Sequence, residues 1–512
     1  MPSVVPIFST ILGLQGISAA IAGKWQEEKG PRLSCVLGAF CYGGGLMIAG
    51  VGILTHQLSL VYLGYGVLGG IGMGLAYVPP IAMLIRWFPD RRGLATGMTL
   101  MGFGGGALVV TPIINYLLKI THKAPQYIGS VDSVQLITEG GRQFAHYAGE
   151  LREVVVATTR DVYICHIEGL QEGVYLVGSG STGAGTTLFA LGTGFLGVMM
   201  ASAISLRTAP PNYRPAGWTP PPVTNALVST KNVHIDTVMK TPQFWQIWLT
   251  LGTLSSAGMA GVSVAKTMMS EIFTQALPDI VTPVFTSTYI MLISAGNLGG
   301  RIGWSTVSDS FGRQRMFTMF YCVSIPLFAM IPLVVQQATA TSSLIPLALF
   351  CTSNVIIYSF FGAAYAITPA YEADLFGSKY CGAIHGRMLT ASSMASVIGP
   401  VTITLLRSKS ELAAIKDLVL KIDPSVFYTK FGADVSQLDA LVKAKTVTIN
   451  KLMELVPAGT VDPTPYLYNS TMYCAAGLLC IGFVANYTIK PIDPKYTMIE
   501  QGPADPNSDS SH

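Results

Sequence analysis

The feature that most restricts this chain is a series of apolar runs of roughly 20 residues with almost no charge, the length at which a helix crosses a hydrocarbon core of about 30 Å. Such runs lie near 4–23, 33–55, 58–87, 94–118 and 185–206, and again near 243–265, 285–306, 315–336, 344–371, 383–406 and 467–489. Lipid offers no partner to a free backbone amide, so each run reads as a helix. The expected fold class is therefore all-α and integral to a membrane, with eleven spans, five before a central break and six after it. Composition agrees: 50% of the 512 residues are hydrophobic and 11% are charged, against about a quarter charged in soluble domains.

Several function classes drop out early. Net charge is +4 with no long basic run, so nothing points to nucleic acid. Of the eight cysteines, Cys35, Cys41, Cys322, Cys351, Cys381, Cys474 and Cys480 fall within or at the ends of apolar runs, and Cys165 lies in a polar loop; neither a disulfide framework nor a zinc spacing follows. The seven histidines are scattered without metal spacing, and His385 sits at the mouth of a span beside Arg387. Gly178-Ser-Gly-Ser-Thr-Gly183 fits a dinucleotide fingerprint but opens a membrane span and lacks the acid about twenty residues on, so no cofactor is expected. Asn469-Ser-Thr is a glycosylation sequon close to a span. The first 23 residues carry no charge and read as a true span, not a signal peptide.

The break at 207–242 contains Ala209-Pro-Pro-Asn-Tyr-Arg-Pro-Ala-Gly-Trp-Thr-Pro-Pro-Pro222, whose prolines cannot continue a helix. It divides the chain into an N-terminal bundle (1–206, with a long outer loop at 119–184), a cytoplasmic linker (207–242), a C-terminal bundle (243–490, with a long outer loop at 407–466) and a cytoplasmic tail (491–512). The orientation follows from Lys24, Lys29, Arg32, Arg86, Arg91, Arg92, Arg313, Arg315 and Lys379, which share one side, while the short connections at 56–57 and 337–343 carry no Lys or Arg.

The halves echo each other. Glu27, Gly30 and Arg32 follow the first span as Asp309, Gly312 and Arg313 follow the seventh, and Gly74-Leu-Ala-Tyr77 has a counterpart in Gly362-Ala-Ala-Tyr365. Two related bundles in one orientation are implied. Acid and base flanking a glycine turn can hydrogen-bond helix ends and hold a cytoplasmic mouth shut. The stretch Gly299-Gly-Arg-Ile-Gly-Trp-Ser-Thr-Val-Ser-Asp-Ser-Phe-Gly-Arg313 resembles the loop signature of the major facilitator superfamily, with Ser305 where glycine is usual. In the first-half copy, Glu27 replaces aspartate. Trp87-Phe-Pro-Asp-Arg-Arg-Gly-Leu-Ala-Thr-Gly97, Gly102-Phe-Gly-Gly-Gly106, Tyr213-Arg-Pro-Ala-Gly-Trp218 and Thr241-Pro-Gln-Phe-Trp245 resemble its oxalate/formate antiporter branch. The resemblance implies the major facilitator fold, two bundles related by a pseudo-two-fold axis, and a cytoplasmic gate at Asp309, Gly312, Arg313, Glu27, Gly30 and Arg32. That family has twelve spans, and its loop signature belongs after the second, so the resemblance implies that the first helix is absent here; a late gene start, a fragment or an eleven-span form would account for it, and a late start is the expectation.

Arg301 stands eight residues before Asp309, which puts it about 12 Å deep in the bilayer. A cation there costs about 2.5–3.5 kcal/mol on insertion scales, so it should face a cavity and meet an anion. Its planar fork suits a carboxylate. The alternatives are snorkelling to the interface or pairing with a protein acid, but Glu271 lies near the outer end of its helix, and Glu372 and Asp374 near the inner end of theirs. The resembling family, like the related monocarboxylate transporters, binds substrate with an arginine at this place. The resemblance further implies that Phe361, Tyr365 and Tyr77 line the cavity, that Ser392 replaces a lysine used for dicarboxylates, and that Asn297 replaces an aspartate used for proton symport. The expected function is secondary active transport of small carboxylates, monocarboxylates above oxalate, by alternating access and by exchange. The carrier is expected to work as a monomer in the plasma membrane or an organelle membrane. An enzyme is not expected, for want of a catalytic cluster; a non-transporting sensor is the competing class.

Overall fold

The computed structural model describes residues 5–139, 142–157, 171–210, 213–219, 226–229, 231–341, 343–443, 446–457 and 459–498. Cys165, the linker prolines at 220–222 and the tail beyond 498 lie outside the described residues. The long helices are α1 (Val5–Lys29), α2 (Pro31–Leu54), α3 (Leu58–Trp87, with a π-helical stretch at Tyr62–Leu68), α4 (Arg92–Thr121), α5 (Ala184–Ser205), α6 (Pro242–Phe273), α7 (Pro283–Phe311), α8 (Arg313–Thr341), α9 (Leu344–Phe376), α10 (Cys381–Val419) and α11 (Asn469–Tyr487). Among the described residues nine of these helices are, by length and composition, long and apolar enough to cross a membrane; α1 and α7 are helices at the positions of the other two apolar runs. α7 carries Ser294, Asn297, Arg301 and Ser305 along one side, which lowers its apolarity.

The described chain forms two compact units. One comprises Met1–Gly38, Gly70–Gly106 and Met199–His512. Here α1 packs along α10, α7 along α9, and α11 against α6 and α8. Membrane helices approach closely where small residues remove side-chain bulk, and the α7–α9 contact uses this at two points. A methyl on Gly300 would come within 2.6 Å of the Ser359 carbonyl carbon, and one on Gly362 within 3.0 Å of the Asn297 carbonyl carbon. This fit sets Asn297 and Arg301 beside the aromatic face of α9. At the arginine-rich end, Gly30 (φ 83°) and Gly312 (φ 94°) make the turns from α1 to α2 and from α7 to α8 in a backbone region that suits glycine.

The other unit comprises Ala39–Gly69 and Ala107–Val198. The stretch expected as the first long outer loop folds into an antiparallel sheet, β1 (Tyr127–Gly129), β2 (Ile137–Glu139), β3 (Arg142–Tyr147), β4 (Glu150–Ala157) and β5 (Gly173–Leu176), in the order β1-β5-β4-β3-β2. Ala145, Val154 and Val174 form its small core. The all-helical expectation holds for the membrane part and omits this sheet. In the first unit, α10 runs past its expected end into the second long loop, whose later part adds short helices such as Pro424–Phe431 and Ile449–Met453.

The close contact of α7 with α9 yields a test of packing. Gly300→Ala should destabilise by about 1–3 kcal/mol, lowering the melting temperature of the solubilised protein, whereas Gly299→Ala, with nothing within 4 Å of the new methyl, should be near neutral. Equal melting of the two variants would remove this packing as the determinant of the site's position.

Candidate functional site

Arg301 is 5% exposed. Its Nε donates to Asn297 Oδ1 at 3.1 Å, one turn earlier on α7, and its Nη1 donates to the Leu100 carbonyl oxygen of α4 at 3.2 Å. Neither bond uses Nη2. The guanidinium carbon lies 5.8 Å from the Phe103 ring centroid and 5.6 Å from that of Tyr365, a distance at which ring faces attract a cation. Room for the fork comes from Gly104: a methyl there would sit 2.9 Å from Arg301 Nε. Among the described residues no carboxylate pairs with Arg301, because Asp309 and Asp374 are bonded to other arginines.

The arginine faces a cavity of about 260 Å³ whose lining includes Tyr77, Asn297, Arg301, Phe361, Tyr365 and Ser392, the full set of candidate substrate residues. Gln15, Phe103 and Ser393 join them. The volume is below the roughly 300–1,000 Å³ of drug-sized pockets, which suits a molecule of few atoms. Phe361 and Tyr365 meet edge to face at 5.4 Å. The Tyr365 hydroxyl lies buried beside those of Ser255 and Ser392, and none of the three makes a hydrogen bond of good geometry among the described residues. Buried polar atoms are normally satisfied, so these hydroxyls are open to a ligand.

At the arginine-rich end, two carboxylates bind helix ends in parallel ways. Asp309 accepts hydrogen bonds from the Gly93 and Leu94 amides (2.8 and 3.0 Å), the first turn of α4. Glu27 accepts from the Gly382 and Ala383 amides (3.0 and 3.3 Å), the first turn of α10. A carboxylate at a helix N-terminus meets unpaired N–H groups and the positive end of the dipole. Each is also clamped by an arginine, Asp309 by Arg313 and Glu27 by Arg86. Asp374 joins Arg313 (3.1 Å) to Arg92 (2.8 Å).

Of the residues expected at a gate, Asp309, Arg313 and Glu27 form these networks, and Gly30 and Gly312 make the turns. Arg32 does not join them; its Nε donates to the Leu206 carbonyl oxygen. Sequence reasoning did not find Arg86, Arg92 or Asp374 as partners, because pairs such as Arg92 and Asp374 leave no spacing signal. It also set His385 aside as lying at a span's mouth, whereas the structure buries it beside Glu372.

A family model described as Major Facilitator Superfamily matches residues 3–128. Among solved structures, the Escherichia coli fucose:proton symporter FucP aligns with a TM-score of 0.53 at 8% identity over 95% of this chain and 99% of that one. The human organic anion transporter MFSD10 aligns at 0.51 and 11% identity, covering 94% and 82%. Residues 3–128 thus match that superfamily's pattern, and the alignments to solved structures show that the chain has the fold of its multi-pass membrane transporters. Within that class it is similar to the oxalate:formate antiporter of Oxalobacter formigenes, 23% identical over 75% of this chain and 71% of that protein. It is also similar to apicoplast pyruvate carrier 1 of Toxoplasma gondii, 24% identical over 74% of this chain and 65% of the carrier. Monocarboxylate transporter 13 of Rattus norvegicus matches at 32% over 22% of this chain and 26% of its own.

The closed mouth gives a second test. Asp309→Asn removes charge-assisted bonds worth about 1.5–3 kcal/mol and should open the mouth more often. In a chain whose other cysteines are serine, labelling of Cys381, which is 1% exposed, should accelerate at least about tenfold. An unchanged labelling rate would show that Asp309 does not hold the mouth.

Proposed function

We propose that this transporter carries small monocarboxylates by alternating access, with Arg301 holding the carboxylate. The observation that carries the reading is a buried arginine, unpaired with any acid among the described residues, in a cavity small enough for a molecule of few atoms. The printed names of the relatives, an oxalate:formate antiporter, a pyruvate carrier and monocarboxylate transporters, agree in chemistry. One cation balances one carboxylate. A second carboxylate at Ser392 would enter a buried site without a counter-charge, which is strongly unfavourable, so formate, lactate and pyruvate are favoured over oxalate. The bundles 1–206 and 243–490 move against each other around this site, and the Asp309 and Glu27 networks close its cytoplasmic mouth. With Asn297 beside the arginine, the cavity offers no carboxyl group to take up a proton there, and exchange of one carboxylate for another is a mode that needs no net proton movement.

Uptake of labelled carboxylates into vesicles holding the purified protein tests this. Arg301→Ala should abolish exchange while leaving folded protein abundant, and Arg301→Lys should keep only weak activity, since a point charge cannot reproduce the two-pronged contact. Ser392→Lys should raise oxalate relative to pyruvate. Normal exchange by well-folded Arg301→Ala, or tighter binding of oxalate than of any monocarboxylate by the unaltered protein, would overturn the reading; binding without translocation would favour a sensor.

A further inference from the structure

Between the cavity and the closed mouth the protein buries a second polar device. Glu372 on α9 is 0% exposed and His385 on α10 is 2% exposed. His385 Nδ1 lies 3.2 and 3.1 Å from the two carboxylate oxygens. In both helices the pair occupies an intermediate level. On α9 it follows Tyr365 of the cavity by about two turns and precedes Asp374 of the mouth. On α10 it follows Gly382 and Ala383, which Glu27 holds, and precedes Leu389 and Ser392 of the cavity. Tyr77 links the two regions, its ring stacked on His385 at 6.2 Å while lining the cavity. His385 Nε2 is buried with no hydrogen-bond partner among the described residues.

The groups around the pair do not neutralise it. Tyr77 faces it from α3, and Cys381 lies within electrostatic reach on α10. Beyond Cys381 stand Glu27 and Arg86, paired with each other, and Arg92, paired with Asp374. The pair must therefore balance its own charge. Carrying one proton, as carboxylate and imidazolium or as carboxylic acid and imidazole, it is net neutral. Without that proton it is a lone buried carboxylate beside a neutral ring, the state a low-dielectric interior opposes most. An opening that parted Gly382 and Ala383 from Glu27 would admit water about one turn from His385, where the proton could leave.

We propose that Glu372 and His385 form a proton-binding site whose occupancy is tied to closure of the mouth, so that a proton crosses with the carboxylate in the same direction. The proton comes from water on the side to which the cavity opens, rests on the pair while the mouth is shut, and returns to water at the arginine-rich face. This extends the carboxylate reading and rests on it: Arg301 balances the substrate, and the pair supplies the titratable group that Asn297 does not.

The test uses the full chain in sealed vesicles with labelled pyruvate, and with lactate and formate in parallel. Exchange between equal inner and outer pools is measured first, because it needs no net proton movement; its absence for all three overturns the carboxylate reading itself. Net uptake is then driven by a pH gradient. One pH unit is worth a factor of about ten, so one proton per substrate should give about tenfold accumulation, with acidification reported by a pH dye inside the vesicles. In Glu372→Gln and His385→Asn that accumulation should vanish relative to the exchange rate, which serves as the measure of folded carrier. If neither variant folds, the dye signal from the unaltered protein decides. Exchange without substrate-driven proton movement, or undiminished pH-driven accumulation in a folded variant, would overturn the proton site while leaving the carboxylate reading intact.

Discussion

A buried arginine that pairs with no acid among the described residues organises the site. Desolvating Arg301 costs at least about 2.5–3.5 kcal/mol, and its neighbours offset part of this without cancelling the charge. Asn297 and the Leu100 carbonyl accept two of its N–H groups, and Phe103 and Tyr365 present their rings. The glycines follow from the same need. Gly104 leaves room for the fork, while Gly300 and Gly362 let α7 and α9 approach until Asn297 and Tyr365 reach it. A protein acid in place of these dipoles would have satisfied the arginine and left nothing for a ligand to complete.

The carboxylates Asp309, Glu27 and Asp374 at the arginine-rich end obey the opposite logic, each matched by an arginine. Asp309 and Glu27 each cap a helix and each meet an arginine, and Asp374 ties Arg313 to Arg92. These contacts lie toward the helix ends, where water can solvate the same groups once they part. They can therefore break and re-form at modest cost, as a gate requires, whereas a mismatch at the depth of Arg301 could not be relieved by hydration. Glu372 and His385 lie between these regimes, buried in the closed state and one turn from water in an open one.

Whatever rests on one helix or one turn was legible in the sequence. The spans, the two glycine turns, and the isolation of Arg301 all follow from local composition and a depth count along α7. Phe361, Tyr365, Ser392 and Tyr77 were placed by resemblance, and the structure gathers them on one cavity. Pairings across helices were not legible. Glu372 and His385 sit on different helices with a turn between, and each alone looks like an ordinary residue near a span's end. Arg32 shows the converse: its motif position suggests the gate, yet its reach ends at the Leu206 carbonyl. The sheet escaped notice because its strands are short, only a few of its residues are buried, and a long polar loop gives no sustained periodicity.

The most direct measurement of the central claim compares ligands that differ in charge and little else. Melting curves of the purified chain would be recorded with formate, lactate and pyruvate, and with formamide, lactamide and pyruvamide at the same concentrations. A ligand at a hundred times its Kd stabilises the folded state by about 2.7 kcal/mol. If Arg301 is a cation that lacks an anion, the acids should raise the melting temperature in a saturable way and the uncharged amides should leave it unchanged. Equal stabilisation by acid and amide would contradict the account, because the cavity would then be reading shape and not the charge of a carboxylate.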